Sequence, residues 1–222
     1  MKFLLLMLTT TAFIWSNIGN VGAFKGTASI IRDSQTLNIT SGMLLKVKDK
    51  VITEEYTRVQ VILKDDTVVT IGPKSTFVFD AYTFGTKDDS EVKMHLDRGF
   101  FRSVTGKIGK LAPERFKVKT VSATIGIRGT DFSALVSDNQ EVVSCYKGSI
   151  NVVFKNEDFL IPAGSALELL NGKAKVKLFS EENGLQTTDN VADDVASITQ
   201  QAEINKLTQV PMDQPTVEFP NR

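Results

Sequence analysis

The sequence predicts an all-β protein, a short-stranded β-sandwich or a solenoid-like roll, with one C-terminal α-helix and an extended tail behind it. Three observations carry that expectation. Between Gly26 and about Phe179 apolar and polar residues alternate in short runs, the period-2 mark of strands with one buried face. Turn-forming residues interrupt those runs about every ten positions, too closely for crossover helices. Helical periodicity is confined to the stretch beyond Ser180.

The amino-terminal segment MKFLLLMLTTTAFIWSNIGNVGA has Lys2 as its only charge and an apolar run from Phe3 to Trp15. At about 13 residues this run is short of the roughly 20 that a bilayer span needs. With the small residues Gly22 and Ala23 behind it, the segment reads as a secretory leader, residues 1–23, cut after Ala23. Later stretches lack the about 18 consecutive apolar residues of a membrane helix, so the expectation is a soluble periplasmic protein. Cys145 is the only cysteine; it stands far from the position that lipid attachment behind a leader requires, and one thiol cannot build an intramolecular disulfide. In EVVSCYKGSI it is expected as a small buried side chain. Basic and acidic residues number 26 each, which selects neither nucleic acid nor an anionic membrane surface.

Residues 24–180 form the expected β-domain. MLLKVKDKVIT alternates around Leu45, Val47 and Val51. RVQVIL and TVVTI flank Lys64-Asp65-Asp66, whose aspartates suit a tight hairpin turn, and Gly72-Pro73 separates them from STFVFDAYTF. EVKMHLDRGFFRSV, RFKVKTVSATIGIRGTDFSALV, EVVSCYKGSINVVF, DFLIPAGSALELL and AKVKLF complete roughly ten to thirteen strands. Glycine spacing among them is irregular, so no strict repeat is visible. In residues 181–222, Asp189 as N-cap, Asp193 and Asp194 near the first turn, and Val191, Val195, Ile198 and Ala202 at helical spacing predict one helix of about 15 to 20 residues. Pro211, Pro215 and Pro220 then leave an extended tail.

From about Gly26 to Gly172 the order of these pieces resembles the FecR domain, a periplasmic module named after a regulator of iron-citrate signalling. The residues that carry the resemblance are KVKDKVIT, with Asp49 and Thr53; VILKDDTVVTIGPKSTFVF; LDRGFFRSV, with Gly99 and Arg102; FKVKTVSATIGIRGTDFSALV; and YKGSINV with IPAGSALEL. Two positions depart from the family pattern: Val121 stands where the family usually has proline, and Asp66 where it has a hairpin glycine. The resemblance implies a domain without catalytic groups. It also implies a link to signalling, passing a ligand signal from an outer-membrane transporter or sitting beside the sensor domain of a membrane cyclase. Regulators of the iron-citrate kind place a cytoplasmic helical segment and a transmembrane span ahead of this domain. Here a leader stands in that place, so the anti-sigma half of such a function is not expected.

The candidate structural or interaction residues are Gly126, Arg128, Gly129, Thr130, Asp131, Phe132 and Arg102. Glycine within a strand marks a bulge, a sharp bend or a close backbone approach. Arg128, between two of them, is expected to clamp adjacent strands through Asp131 or unpaired carbonyls, with an anion or partner contact as the alternative. Gly126-x-x-Gly129 lacks the Lys-Ser/Thr of a phosphate loop. His95 is the only histidine, which cannot suggest a zinc site, and no Gly-x-Ser-x-Gly elbow occurs. No catalytic residue, metal or cofactor is expected.

The function expected is therefore that of a non-enzymatic periplasmic module binding a protein partner in the cell envelope. One alternative is a soluble signal-transduction adaptor for a TonB-dependent transporter or a membrane cyclase sensor. Another is a cell-wall polysaccharide-binding module using Tyr82, Phe84, Phe100 and Phe101, although alternation favours the core for these aromatics.

Overall fold

A computed structural model describes residues 17–179. The segment assigned to a C-terminal helix and tail lies outside the described residues. The strands in chain order begin with β1 (Gly19–Lys25), β2 (Ala28–Arg32), β3 (Gln35–Asn38), β4 (Leu44–Leu45) and β5 (Lys50–Thr53). They continue with β6 (Arg58–Leu63), β7 (Val68–Ile71), β8 (Thr76–Thr83), β9 (Glu91–Val104) and β10 (Phe116–Lys119). The last five are β11 (Ala123–Val136), β12 (Gln140–Phe154), β13 (Glu157–Pro162), β14 (Ser165–Leu170) and β15 (Lys173–Leu178). A single helical turn, α1 (Ile108–Leu111), and a 3₁₀ turn over Pro113–Arg115 carry the chain from β9 to β10, which pair in parallel. The all-β class is thus as the sequence indicates.

All fifteen strands are hydrogen-bonded into one sheet, and that sheet folds into two layers because β9, β11 and β12 each belong to both. The first layer runs β13, β12 after Gly148, β11 before Gly129, β10, β9 before Gly99, β8, β5, β2 and β3. The second runs β15, β14, β12 before Gly148, β11 after Gly129, β9 from Gly99 onward, β7, β6, β1 and β4. The buried faces of the two layers share one apolar cluster. Phe77 of the first layer lies 5.3 Å from Phe101 of the second, and Phe101 lies 5.6 Å from Phe132, an aromatic chain through the centre of the domain.

Gly99, Gly129 and Gly148 sit at the three places where the long strands change layer, and all have positive φ, at 89°, 60° and 77°. A side chain is excluded most firmly at two of them. A Cβ on Gly99 would meet the Cα of Ser75 at 2.5 Å, and one on Gly148 would meet the carbonyl of Gly129 at 2.5 Å. Gly126 has no such role: its φ is not positive and its nearest foreign atom would be 3.8 Å from a Cβ. Of the two glycines in Gly126-Ile127-Arg128-Gly129, one makes the corner.

The first strands were the least legible. β2 and β3 form a hairpin through Asp33 and Ser34, both at positive φ, a backbone that the sequence Arg-Asp-Ser-Gln does not announce. β1 begins within the segment read as a leader and ends two residues beyond it. It pairs with β6 along its length and with β4 at its start, and Val21 is wholly buried. Ile18 and Val21 together bring about 3–6 kcal/mol of burial free energy to the second layer.

The corners give a graded prediction. Gly129→Ala places a side chain in open space and costs only the backbone strain of about 1–2 kcal/mol. Gly99→Ala and Gly148→Ala add overlap with backbone and should each exceed that loss by ~2 kcal/mol or more, read from urea unfolding midpoints at constant slope.

Candidate functional site

Glycine at the β11 corner allows Asp131 to bulge out of register with β12 and to face the outside of the second layer. Arg102, on β9 one residue before Ser103, stands on that same outer face. Its guanidinium donates Nε–H to Asp131 Oδ1 at 2.8 Å and Nη2–H to Asp131 Oδ2 at 2.7 Å, a two-pronged ion pair. Those bonds hold the Arg102 pKa above its ordinary value against the opposing effect of burial. The other face of the guanidinium lies 4.6 Å from the centre of the Tyr146 ring. Phe179 stacks on Tyr146 at 5.7 Å, and the Tyr146 hydroxyl bonds Ser133 at 3.0 Å. Three strands, β9, β11 and β12, are thereby tied by a stack of side chains to Phe179, the residue that follows β15.

Thr130 and Thr105 complete the corner. Thr105 donates its backbone N–H and its hydroxyl to the Thr130 carbonyl, and its hydroxyl oxygen accepts the Thr130 N–H. Phe132 is fully buried in the aromatic chain. Arg128 differs from the expectation: it is exposed, and its guanidinium makes no hydrogen bond or ion pair among the described residues. The clamp on Asp131 belongs to Arg102, because Arg128 falls one residue before the corner and its side chain leaves on the outside of the first layer.

Most other chemistry-bearing side chains also brace the fold. Asp49 has no exposed surface and accepts Arg32 Nε–H at 2.7 Å, Arg32 Nη2–H at 2.6 Å and the Lys46 N–H at 2.8 Å. Thr53 donates to the Gly72 carbonyl and accepts the Ser75 N–H. Asp65, also wholly buried, accepts from the Thr67 and Tyr82 hydroxyls and from the Ile108 N–H at the start of α1. Burial, reinforced by this carboxylate, pushes the Tyr82 phenol well above its ordinary pKa. At the position where the family has its hairpin glycine, Asp66 adopts φ 66°, so the left-handed turn is kept with another residue. In the turn where Val121 replaces proline, Glu141 of β12 accepts the Thr120 hydroxyl, the Ser122 hydroxyl and the Ser122 N–H. In the sequence Asp65 reads only as a turn residue and Glu141 was not singled out, since a carboxylate beside a turn ordinarily reads as solvated.

His95 projects from β9 between Asp80, 2.6 Å from its Nδ1, and Asp97, 3.5 Å from its Nε2. No group of three or more His, Cys, Asp or Glu able to hold a metal occurs among the described residues. Phe100 and Phe101 are buried and the Tyr82 hydroxyl is engaged with Asp65, so of the four aromatics considered for sugar binding only Phe84 is substantially exposed. The aromatic platform is not assembled.

What the outer face of the second layer does present is an apolar row. Strand register places Leu44, Asn20, Ile62, Val68, Val104 and Asp131 side by side across β4, β1, β6, β7, β9 and β11. Leu44, Ile62 and Val104 are 53%, 37% and 45% exposed. The row ends against the Arg102–Asp131 pair. No sequence motif shows it, because its members come from separate strands aligned only by pairing.

A bent two-layer sheet whose long strands turn at glycine, with an arginine–aspartate pair locking the corner, defines a structural β-module. Residues 49–151 match the sequence model of the family described as FecR protein. Two crystal structures of a candidate anti-sigma factor from Parabacteroides distasonis ATCC 8503 resemble it in fold. One, at 2.50 Å resolution, has a TM-score of 0.51 at 17% identity over 60% of this chain. The other, at 1.65 Å, has a TM-score of 0.48 at 20% identity over the same share. The chain spans 61% of the length of each. No curated protein matches the chain.

Two predictions follow from the geometry. Arg102→Ala should lose about 2 kcal/mol, the contribution of hydrogen bonds to a charged partner, while Arg128→Ala stays within about 0.5 kcal/mol of the parent in the same unfolding titration. Cys145 is buried and donates weakly to the Lys147 carbonyl at 3.6 Å, and burial pushes its thiol above the ordinary value of 9.0. The unfolded chain therefore ionises this thiol first, so its contribution to stability is complete below the ordinary value and is lost as pH climbs through the raised one. Between about pH 8 and about pH 10 the parent should lose stability more steeply than Cys145→Ala.

Proposed function

We propose that the protein is a non-enzymatic regulatory module of the cell envelope that binds a protein partner through the outer face of its second layer. The observation that carries this reading is the apolar row Leu44–Ile62–Val68–Val104, held flat on a braced sheet and left uncovered among the described residues. Apolar side chains aligned on an exposed sheet face mark interaction surfaces. The polar groups that could support chemistry, Asp49, Asp65, Glu141 and the Arg102–Asp131 pair, are engaged in bracing. The match of residues 49–151 to the FecR family model, and a fold shared with a candidate anti-sigma factor, support a place in signal transduction. The partner class that fits is a membrane-bound signalling protein with an exposed apolar surface. The apolar leader supports export, and the single, buried cysteine suits an oxidising compartment.

The test is cross-linking capture from envelope extracts of the producing bacterium with the exported chain and with the variant Leu44→Gln, Ile62→Gln, Val104→Thr. The expected result is a signalling membrane protein recovered by the parent and lost by the variant, whose melting temperature stays within about 4 °C. Equal recovery by both chains places the partner elsewhere and overturns the proposed face.

A further inference from the structure

We infer that the leader is removed between Ser16 and Asn17, and that residues 17–23 belong to the mature domain. This inference rests on the export reading above. The expected cut after Ala23 would pass through β1, leaving only Phe24 and Lys25 of that strand. It would remove Ile18 and Val21, which are 1% and 0% exposed in the shared core.

Backbone bonds argue the same way. Ile18 N–H donates to the Leu45 carbonyl at 2.9 Å, and the Ile18 carbonyl accepts from Lys64 N–H at 3.0 Å. Val21 N–H donates to the Met43 carbonyl at 2.9 Å, and its carbonyl accepts from Gly42 N–H at 2.8 Å. Without residues 17–23 β6 becomes an unpaired edge from Gln60 to Leu63, and β4 loses its partner.

Two glycines of this stretch, one of them among the small residues that suggested the cut, lie close against β6. A Cβ on Gly19 would stand 2.2 Å from the Ile62 carbonyl oxygen, so only glycine lets β1 lie against β6. Gly22 occupies the bulge between Val21 and Ala23, where a Cβ would be 2.9 Å from Ile62 Cδ1. Smallness at Gly19 thus serves packing against backbone. Ahead of Ile18 the last small residue is Ser16, directly after the apolar run that ends at Trp15. A leader peptidase would add water across the Ser16–Asn17 peptide bond, releasing residues 1–16 with a new carboxylate and leaving the α-amino group on Asn17.

The experiment expresses the full chain with its own amino terminus in a bacterial host and determines the amino-terminal sequence and intact mass of the envelope product. A product beginning at Asn17 is expected. One beginning at Phe24, or anywhere within β1, overturns the inference while leaving export intact. An uncut chain overturns both the cut and the export reading. Ala23→Leu provides a second measure: a bulky residue directly before the bond would block a cut after position 23, so unchanged processing is expected and accumulation of precursor overturns the assignment. A chain begun at Phe24 should also lose the cooperative melting that a chain begun at Asn17 retains; equal melting of the two counts against the role of β1.

Discussion

The architecture depends on the close approach of backbones at three glycine corners. A β-strand of 14 or 15 residues cannot serve two layers unless it bends, and β9, β11 and β12 bend at Gly99, Gly129 and Gly148. At Gly99 the chain passes against Ser75, and at Gly148 against the carbonyl of Gly129, with no space for a side chain. Neighbouring strands thus turn together, one corner seated on the next. Every pairing outward from these strands, to β13 and β8 in one layer and to β14 and β7 in the other, inherits its position from that fold line.

Bending strands opens places where backbone and side-chain polar groups must find new partners, and the protein fills them with charged or hydroxyl side chains. Arg102 and Asp131 close the β11 corner, Thr105 and Thr130 exchange bonds beside it, and Ser75 serves the carbonyls of Gly72 and Phe100 under Gly99. A buried carboxylate is costly alone and acceptable once hydrogen-bonded on several sides. Asp49, Asp65 and Glu141 each meet that condition with three or more donors. Residues that a sequence scan would shortlist for chemistry are in this fold struts between strands.

That division of labour leaves the outer face of the second layer as the surface free to do something else. Its apolar row is aligned by five strand pairings, and the Arg102–Tyr146–Phe179 stack lies next to it, at the point where the chain leaves the β-domain. A rigid sheet presenting aligned apolar side chains suits recognition of a preformed protein surface. Rigidity comes from the same corners and braces, so fold and proposed function share one physical origin.

The amino-acid sequence by itself determined the class and most of the elements, because side-chain alternation is a local property: EVKMHLDRGFFRSV is β9 residue for residue, and the segments read as strands from Arg58 onward all become strands. It also marked Gly126 and Gly129 together as a tight turn, since glycine in a strand is locally anomalous, whereas Gly129 alone makes the corner. It misassigned the arginine, placing on Arg128 a clamp that Arg102 supplies from 29 residues away, because which guanidinium faces Asp131 follows from the register between β9 and β11. It read Gly22 and Ala23 as a leader's end; that a side chain on Gly22 would also meet Ile62 is visible only in the fold. Tertiary structure alone decided the two-layer bend, the buried carboxylates and the apolar row, since each depends on contacts between strands far apart in the chain.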